Sequence, residues 1–228
     1  MAASVIWDLL APAYDRLRQS DRKTRESMYR RIRQVIRDRD VLEVGCGTGE
    51  LACTTAVYAR HMAAVDSSMG MLRQAEKKHG PKNLVFRPGD VYELPFGDGV
   101  FDVVIIADTL HVLNDPAKAL QEISRVLKPG GVLLSGLDTG VNFIVDEAEE
   151  RIVNRLPFDP VADPEQMEQL RTQDAGVQFS HTLEDQIGGQ LRAGFRLTDL
   201  YEDTNGEGRL HELNIPSFIA TRAVKQNN

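Results

Sequence analysis

The sequence predicts an α/β fold, a single and mostly parallel sheet with helices on both faces. Short apolar runs recur from residue 41 onward, each followed by a stretch of helical periodicity, which is the pattern of strands joined by helical crossovers. Glycines at 45, 47 and 49 follow the first apolar run, where a β-carbon would obstruct either the backbone turn or a group approaching it. Hydrophobic residues make up 42% of the 228, enough for a sizeable core. A chain of this length suits one large domain or two small ones, and the unbroken alternation favours one.

Residues 1–39 read as a helical cap. In IWDLLAPAYDRL, Trp7, Leu10, Tyr14 and Leu17 fall on one helical face, a stripe that packing explains as well as a ligand does. Arg16 to Arg39 is rich in Arg and Lys, yet Ile32, Val35 and Ile36 sit among them at helical spacing, as on the solvated side of a packed helix.

Residues 40–137 hold five predicted strands. The first four are Val41–Val44, Met62–Val65, Leu84–Arg87 and Phe101–Ala107, and the fifth begins after a turn at Pro129–Gly131. Helices are expected over Leu51–Arg60, in SSMGMLRQAEKK, and in the segment that ends at Lys128.

Residues 138–186 form an insertion, expected to be helical and to act as a lid. Val141–Leu156 is helical in pattern and carries Asp146, Glu147, Glu149 and Glu150; Pro157, Pro160 and Pro164 then interrupt it. A second helix begins at Asp163 or Pro164. Connections of this length cap a site or form a partner surface. Past His181, TLEDQIGGQLRAG reads as another helix, and residues 187–228 finish the sheet. FRLTDLYED alternates like a strand, and LNIPSFIATRAVK supplies the last strand beyond a short NGEG loop.

The glycine spacing separates two kinds of ligand. A dinucleotide fingerprint places its third glycine three positions after the second, and here Glu50 stands at that place. Glu43 lies two residues before the first glycine; a carboxylate there repels a pyrophosphate and favours a cation. Asp66 ends the second strand, 21 residues beyond Gly45, where an acid can reach ribose hydroxyls on the neighbouring strand. The same aspartate could also cap the helix that follows.

Together these segments resemble the class I S-adenosylmethionine-dependent methyltransferases of small-molecule type. Glu43 to Gly49 reads E-x-G-x-G-x-G, similar to motif I of that family; Asp66 is similar to the acid of motif II, and Asp90 in PGDVYELPF to the acid of motif III. FGDGVFDVVIIADTLHVL resembles motif IV, and the KPGG turn in VLKPGGVLLSGL is a further mark of the family. The resemblance covers Val41 to Leu137 well and the remainder in outline. It implies a Rossmann-like sheet of seven strands with the last one antiparallel, and S-adenosylmethionine as the cofactor.

By the same resemblance, Glu43, Gly45 and Gly47 hold the methionine end, Asp66 the ribose, and Asp90 with Val91 the adenine. Cys46, Ser67, Met71 and Ala107 join the cofactor-binding set. Trp7 to Asp15 resembles the "W/F-D-x-x-A-x-x-Y-D" helix that covers the cofactor in many such enzymes, which makes Tyr14 a lid contact. His111 follows the fourth strand and is the candidate catalytic residue, because an imidazole is poised to orient or deprotonate a substrate near neutral pH; a structural or cofactor-side role is the alternative reading. The stretch YEDTNGEGRLHELNIPSFIATRA looks like the tail of a little-characterised bacterial group of these enzymes.

Composition narrows the partner. A net charge of −7 disfavours nucleic acid, whose binding draws on phosphate neutralisation by Lys and Arg. The N/D-P-P-Y/F tetrapeptide of amino-methylating nucleic-acid enzymes is replaced by ADTLHVL after the fourth strand. A small-molecule acceptor is therefore expected, with a non-catalytic S-adenosylmethionine-binding scaffold and an RNA methyltransferase as alternatives and a nicotinamide dehydrogenase as the weakest rival. Cys46 and Cys53 are poorly placed for a disulfide or a zinc site, so no metal is expected. No run is long and apolar enough to span a bilayer, and the N-terminus lacks the basic start and apolar core of a leader, which together suggest a cytoplasmic protein. The terminal and inserted helices could equally form a homodimer surface.

Overall fold

The computed structural model describes residues 3–17, 22–146, 148–172, 178–204 and 206–227, with side chains over 7–15, 26–146, 148–168, 178–204 and 206–227. In chain order the elements begin with α1 (Ala3–Leu17), α2 (Arg22–Ile36), β1 (Asp40–Val44), α3 (Glu50–Thr55), β2 (His61–Asp66) and α4 (Met69–Glu76). They continue with β3 (Leu84–Pro88), β4 (Phe101–Ile106), α5 (Pro116–Val126), β5 (Leu127–Asp138), α6 (Val141–Ile144) and α7 (Pro164–Thr172). The chain then forms α8 (Gly189–Arg192), β6 (Phe195–Asp203), α9 (Gly208–Glu212) and β7 (Phe218–Lys225).

The strands make one seven-stranded sheet in the order β3-β2-β1-β4-β5-β7-β6. β1 pairs in parallel with both β2 and β4, while β7 runs antiparallel between β5 and β6. The chain leaves β1 in one direction for β2 and β3, then returns to β4 on the other side. That reversal opens a crevice beyond the carboxyl ends of β1 and β4, the place where open α/β sheets hold ligands.

The alternation of side chains explains the layering. Leu42 and Val44 of β1, Val104 and Ile106 of β4 and Leu133 of β5 pack with Leu120 and Ile123 of α5 on one face. Val41 of β1 and Val103 and Ile105 of β4 face the other way, toward Ile32 and Ile36 of α2 and Leu51 of α3. A central strand apolar on both faces is what a parallel sheet covered by helices requires. The basic segment accordingly lays Ile32 and Ile36 into the core and pairs Arg33 with Glu26 at 3.0 Å at the surface.

Several elements differ from expectation for local reasons. The helix expected over Leu51–Arg60 ends at Thr55 and tightens into a 3₁₀ turn at Ala56–Tyr58. Thr54 and Thr55 donate their hydroxyls to the carbonyls of Glu50 and Leu51, at 2.7 and 2.8 Å, back-bonding that weakens helix continuation. The segment after α5 becomes strand at Leu127, so the expected Pro129–Gly131 turn is an excursion within β5: Phe101 pairs with Leu127, but Val103 pairs with Val132. A short helix, α9, occupies part of the stretch expected as loop between β6 and β7.

The long helix expected over Val141–Leu156 is a correction. Only Val141–Ile144 is helical, and Val145 then bridges antiparallel to Ile152. Asp146 accepts backbone bonds from Glu150 and Arg151 at 2.9 and 3.3 Å, and the acid that suggested a solvated helix face instead closes a turn. Glu147 lies outside the described residues. Pro164–Thr172 is helical as expected, started by Asp163, whose carboxylate accepts from Glu165 N at 3.0 Å. The segment after His181 is helical too, with a π turn at Glu184–Gly188 before α8.

Two predictions follow from this packing. Gly49 has φ +76°, and a β-carbon there would lie 2.6 Å from Phe86 Cζ and 2.8 Å from Ala75 Cβ. Gly49→Ala should therefore lower stability by about 1–3 kcal/mol, read by denaturant unfolding; an unchanged midpoint would contradict this packing. At the amino ends of the strands, Asp40 accepts from Arg60 at 2.7 Å and lies beside His61 and Lys128. The Arg60 guanidinium, against a smaller burial effect, holds its carboxyl down at about 2. Its contribution is present above the unfolded value of about 3.9 and fades as pH falls toward 2. Asp40→Asn should thus lower the melting temperature at pH 6, with the difference from wild type closing between pH 4 and 2.

Candidate functional site

The glycine turn after β1 has three glycines with left-handed backbone, φ 71°, 52° and 76° at 45, 47 and 49. Their reasons differ. A β-carbon at Gly45 would strike the Thr109 side chain, and one at Gly49 would strike Phe86, so both are glycine because protein packs against them. At Gly47 the nearest atom is Tyr14 Cε1 at 3.9 Å. The loop is therefore open to an approaching ligand at Gly47.

Backbone and carboxylate together fix this loop. The amides of Gly45 and Cys46 both donate to the Val65 carbonyl, at 2.9 and 3.0 Å. Asp66, one residue on, accepts from Gly47 N at 2.8 Å on one oxygen and from Ser68 N at 2.9 Å on the other. Burial pushes the Asp66 carboxyl above its ordinary value, while the Ser68 and Gly47 amides hold it down. These amides take up only part of the carboxylate's lone-pair capacity and leave room for further donors. The helix cap considered for Asp66 belongs to Ser68, whose hydroxyl accepts from Met71 N at 3.1 Å.

Glu43 is only 4% exposed, on the β1 face turned toward α3. The Cys46 thiol beside it is pushed well up, first by burial and then by the charges of Glu43 and Asp66. Cys46 and Cys53 are both free thiols.

α1 lies over this loop, held by two aspartates that sequence reasoning did not select. Asp8 accepts from the Ser68 hydroxyl and the Gly70 amide, each at 2.6 Å. Asp15 accepts the Thr48 hydroxyl and pairs with Lys78 at 2.6 Å, while Lys78 also donates to the Thr48 carbonyl at 2.7 Å. Tyr14 thus faces Gly47 and meets Trp7 edge to face, 6.1 Å between centroids. The Leu17 side chain of the expected stripe lies outside the described side chains. Asp8 and Asp15 are the two acids of the W-D-x-x-A-x-x-Y-D pattern in this helix, so the pattern marked both positions without indicating the partners they hold.

The remaining predicted residues spread along the crevice. Ser67 is exposed at the end of β2, and Met71 is 2% exposed in the first turns of α4. Asp90 is exposed past β3, accepting from Tyr92 N at 2.9 Å, with Val91 buried beside it. Ala107 ends the β4 run and is half-buried. Tyr14, Glu43, Gly45, Cys46, Gly47 and Asp66 converge on one loop, whereas Asp90 and Val91 stand one strand further out, beyond β3.

Past β4 the chain makes a strained turn. Asp108 has φ 51°, uncommon for a residue with a side chain, and Leu110–Val112 forms a 3₁₀ turn carrying His111. The inserted segment returns to this turn: Phe179 N donates to the His111 carbonyl at 2.6 Å, and His181 Nε2 donates to the Leu113 carbonyl at 2.7 Å. Asp138, at the end of β5, accepts from Gly140 N at 2.5 Å and from the Asn142 amide at 2.9 Å. Its place at a strand terminus was the only signal for it in the sequence.

The donor set suits a cationic nucleoside ligand. A loop open at Gly47, a buried carboxylate at Glu43, and Asp66 with capacity for further donors fit a sulfonium and amino group on one side and a ribose on the other. They suit a pyrophosphate poorly, because the nearby side chains are anionic.

Comparison with known proteins agrees with this site. The family described as Methyltransferase domain matches residues 42–135, which spans β1 to the middle of β5. The chain is 31% identical to the uncharacterized methyltransferase YbaJ of Bacillus subtilis, over 81% of this chain and 76% of that protein. It is 34% identical to a demethylmenaquinone methyltransferase of Clavibacter sepedonicus, over 56% of this chain and 54% of the other. Among solved structures, an S-adenosylmethionine-dependent methyltransferase from Mesorhizobium loti superposes with a TM-score of 0.69 at 18% identity, covering 84% of this chain and 93% of that one. The sheet order with its antiparallel β7, the glycine turn and these matches place the chain in the class I, Rossmann-like family of S-adenosylmethionine-dependent methyltransferases.

Proposed function

We propose that the enzyme methylates a small-molecule acceptor bound beyond the carboxyl ends of β4 and β5. The observation that carries this reading is the grouping of Asp108, His111 and Asp138 at that end of the sheet. An acidic and imidazole-bearing surface suits a neutral or cationic small molecule and offers nothing to neutralise phosphates. The overall charge of −7 points the same way. The name of the Clavibacter relative gives demethylmenaquinone, itself a small molecule, as that protein's substrate.

S-Adenosylmethionine supplies a methyl group already activated by its sulfonium. In our reading Glu43, Cys46 and Gly45 hold the methionine end against Gly47, Asp66 with Ser67 takes the ribose hydroxyls, and Asp90 with Val91 borders the adenine. Met71 backs this site through α4, and Ala107 borders the methyl-bearing end. Tyr14 closes the loop from above as α1 docks. The chain then contributes alignment of an acceptor atom with the methyl group and exclusion of water, the main sources of acceleration for a direct displacement.

The inserted residues 138–186 cover the acceptor in this reading. Support comes from Phe158, which is buried and stacked on Phe143 at 5.1 Å, and from Ser180, whose amide and hydroxyl bond to Phe158 at 2.9 and 2.6 Å. These contacts hold the described parts of the insertion together, and Phe179 N joins them to the His111 carbonyl.

Three outcomes are expected. Methyl-labelled S-adenosylmethionine incubated with a panel of phenols, amines, thiols and quinols, and separately with total RNA, should label a small molecule; label in RNA alone would overturn the proposal. Asp66→Ala should weaken S-adenosylhomocysteine binding by about 1–3 kcal/mol, measured by calorimetry on protein whose circular dichroism matches wild type. Asp15→Ala, which frees α1 from Thr48 and Lys78, should speed release of S-adenosylhomocysteine several-fold, since an exposed ion pair and a hydrogen bond are together worth about 1–2 kcal/mol. An unchanged dissociation rate would mean that α1 does not gate the site.

A further inference from the structure

The loop that follows β3 is fastened at its far end and reaches across to the turn after β4 through one side chain. Leu94 N donates to the Glu122 carboxylate at 2.8 Å, and Arg125 donates to the carbonyls of Phe96 and Leu94 at 2.9 and 3.2 Å, so this end of the loop is held on α5. At the near end, Asp90 accepts from Tyr92 N at 2.9 Å. Tyr92 stands between the two ends. Its half-buried ring packs against the core cluster that α5 shares with the sheet, with Lys118 Nζ 5.2 Å from the ring centroid. Its hydroxyl donates to Asn114 Oδ1 at 2.8 Å and accepts from Asp115 N at 3.1 Å. A phenolic hydroxyl both donates and accepts, so the two bonds are made together.

Asn114 and Asp115 join the turn after β4 to α5. The Asp115 carboxylate caps that helix by accepting from Lys118 N at 3.0 Å. Just before it, the insertion takes up carbonyls of the turn: Phe179 N bonds that of His111 at 2.6 Å, and His181 Nε2 that of Leu113 at 2.7 Å. Gln186 Nε2 in turn bonds the His181 carbonyl at 2.9 Å. The stretch from His111 to Asp115 is thus gripped from two sides, by the insertion and by Tyr92.

We propose that Tyr92 is a positioning residue for methyl transfer, its hydroxyl bridging the segment that borders the adenine to the turn that faces the acceptor. The proposal rests on the reading above, in which Asp90 and Val91 border the adenine and the acceptor lies beyond β4, and it joins those two halves of the site. An adenine seated on Asp90 and Val91 restrains the loop. The bridge carries that restraint to Asn114 and Asp115, and the bonds from His181 and Phe179 extend it to the insertion. Cofactor binding therefore orders the acceptor side, and the acceptor binds best to the cofactor-loaded enzyme. Such a coupling is reciprocal, so a bound acceptor holds the adenosyl ligand more tightly.

The test needs no acceptor. Amide hydrogen exchange is followed in the full chain with and without saturating S-adenosylhomocysteine, in wild type and in Tyr92→Phe, which keeps the ring and removes the hydroxyl. In wild type the ligand should slow exchange several-fold around Asp90 to Tyr92, around Leu113 to Asp115 and around Phe179 to His181. In Tyr92→Phe the slowing around Asp90 should remain and the other two should be lost. A tyrosine that merely fastens the loop to α5 would speed exchange equally with and without ligand; ligand-induced slowing that survives in the variant, or that stays confined to Asp90 to Tyr92 in wild type, overturns the bridge. Slowing at Gly45 to Gly47 without any around Asp90 would instead overturn the adenine assignment, and the proposal with it. Should Tyr92→Phe fail to fold, Asn114→Ala, at an exposed position, removes one of the two bonds and should shrink the slowing around Leu113 to Asp115; no shrinkage again overturns the bridge. With any acceptor found in the panel, Tyr92→Phe should raise the acceptor KM several-fold while affinity for S-adenosylhomocysteine stays near wild type, and an unchanged KM would remove Tyr92 as a positioning residue. A panel in which no small molecule is methylated would defeat the small-molecule reading, while the exchange pattern would still decide the bridge.

Discussion

The Asp66 carboxylate, with an amide from each side of the crevice on its two oxygens, is the constraint on which the rest of the site depends. Gly47 N reaches it from the turn after β1, and Ser68 N reaches it from the start of α4. The adjacent Val65 carbonyl takes the Gly45 and Cys46 amides. The end of β2 therefore dictates the path of the glycine loop, and that path leaves the space at Gly47. Because β1 and β2 are parallel neighbours in register from Asp40 with His61 to Val44 with Val65, an acid at the first position beyond this ladder falls beside the loop by strand geometry alone.

The same corner also receives the lid. Asp8 and Asp15 fasten α1 to the start of α4 and to Thr48, and Asp8 is lowered from its ordinary value chiefly by the Ser68 hydroxyl, helped by the Gly70 amide. A β-carbon at Gly70 would sit 2.8 Å from Asp8 Cα, so α1 rests on backbone there. Glycine at 70 is what lets the helix lie so close. Carboxylates thus do three jobs within a few residues of one another: they shape the loop, dock the lid and prepare a site for a cation. Their concentration explains why the sheet's reversal point is electrostatically unsuited to a pyrophosphate although its topology is shared with dinucleotide-binding folds.

Much of this was legible in the sequence where local pattern and tertiary role coincide. Glycines 45, 47 and 49, the apolar strand before them and Asp66 are close in the chain and obey strand and turn rules, so both the sheet and the loop could be read. Residues whose role depends on distant pairing were not. Asp8 stands in the pattern of the first helix but acts 60 residues away on Ser68, and Gln186 bonds a carbonyl 48 residues back at Asp138; local pattern names neither partner. Val141–Leu156 misled because helical periodicity does not register an Asp146 side chain competing for backbone amides. The Thr54 and Thr55 hydroxyls shortened α3 in the same way, through side chain to backbone bonds that hydrophobic periodicity ignores.

The central claim is that the crevice between β1 and β4 is built for a cationic adenosyl ligand and not for a dinucleotide. Parallel calorimetric titrations of the cofactor-free protein with S-adenosylmethionine and with NAD test it most directly. The account predicts micromolar or tighter binding of S-adenosylmethionine and no measurable heat from NAD. Binding of NAD at comparable affinity, or of neither ligand by a folded protein, would contradict it.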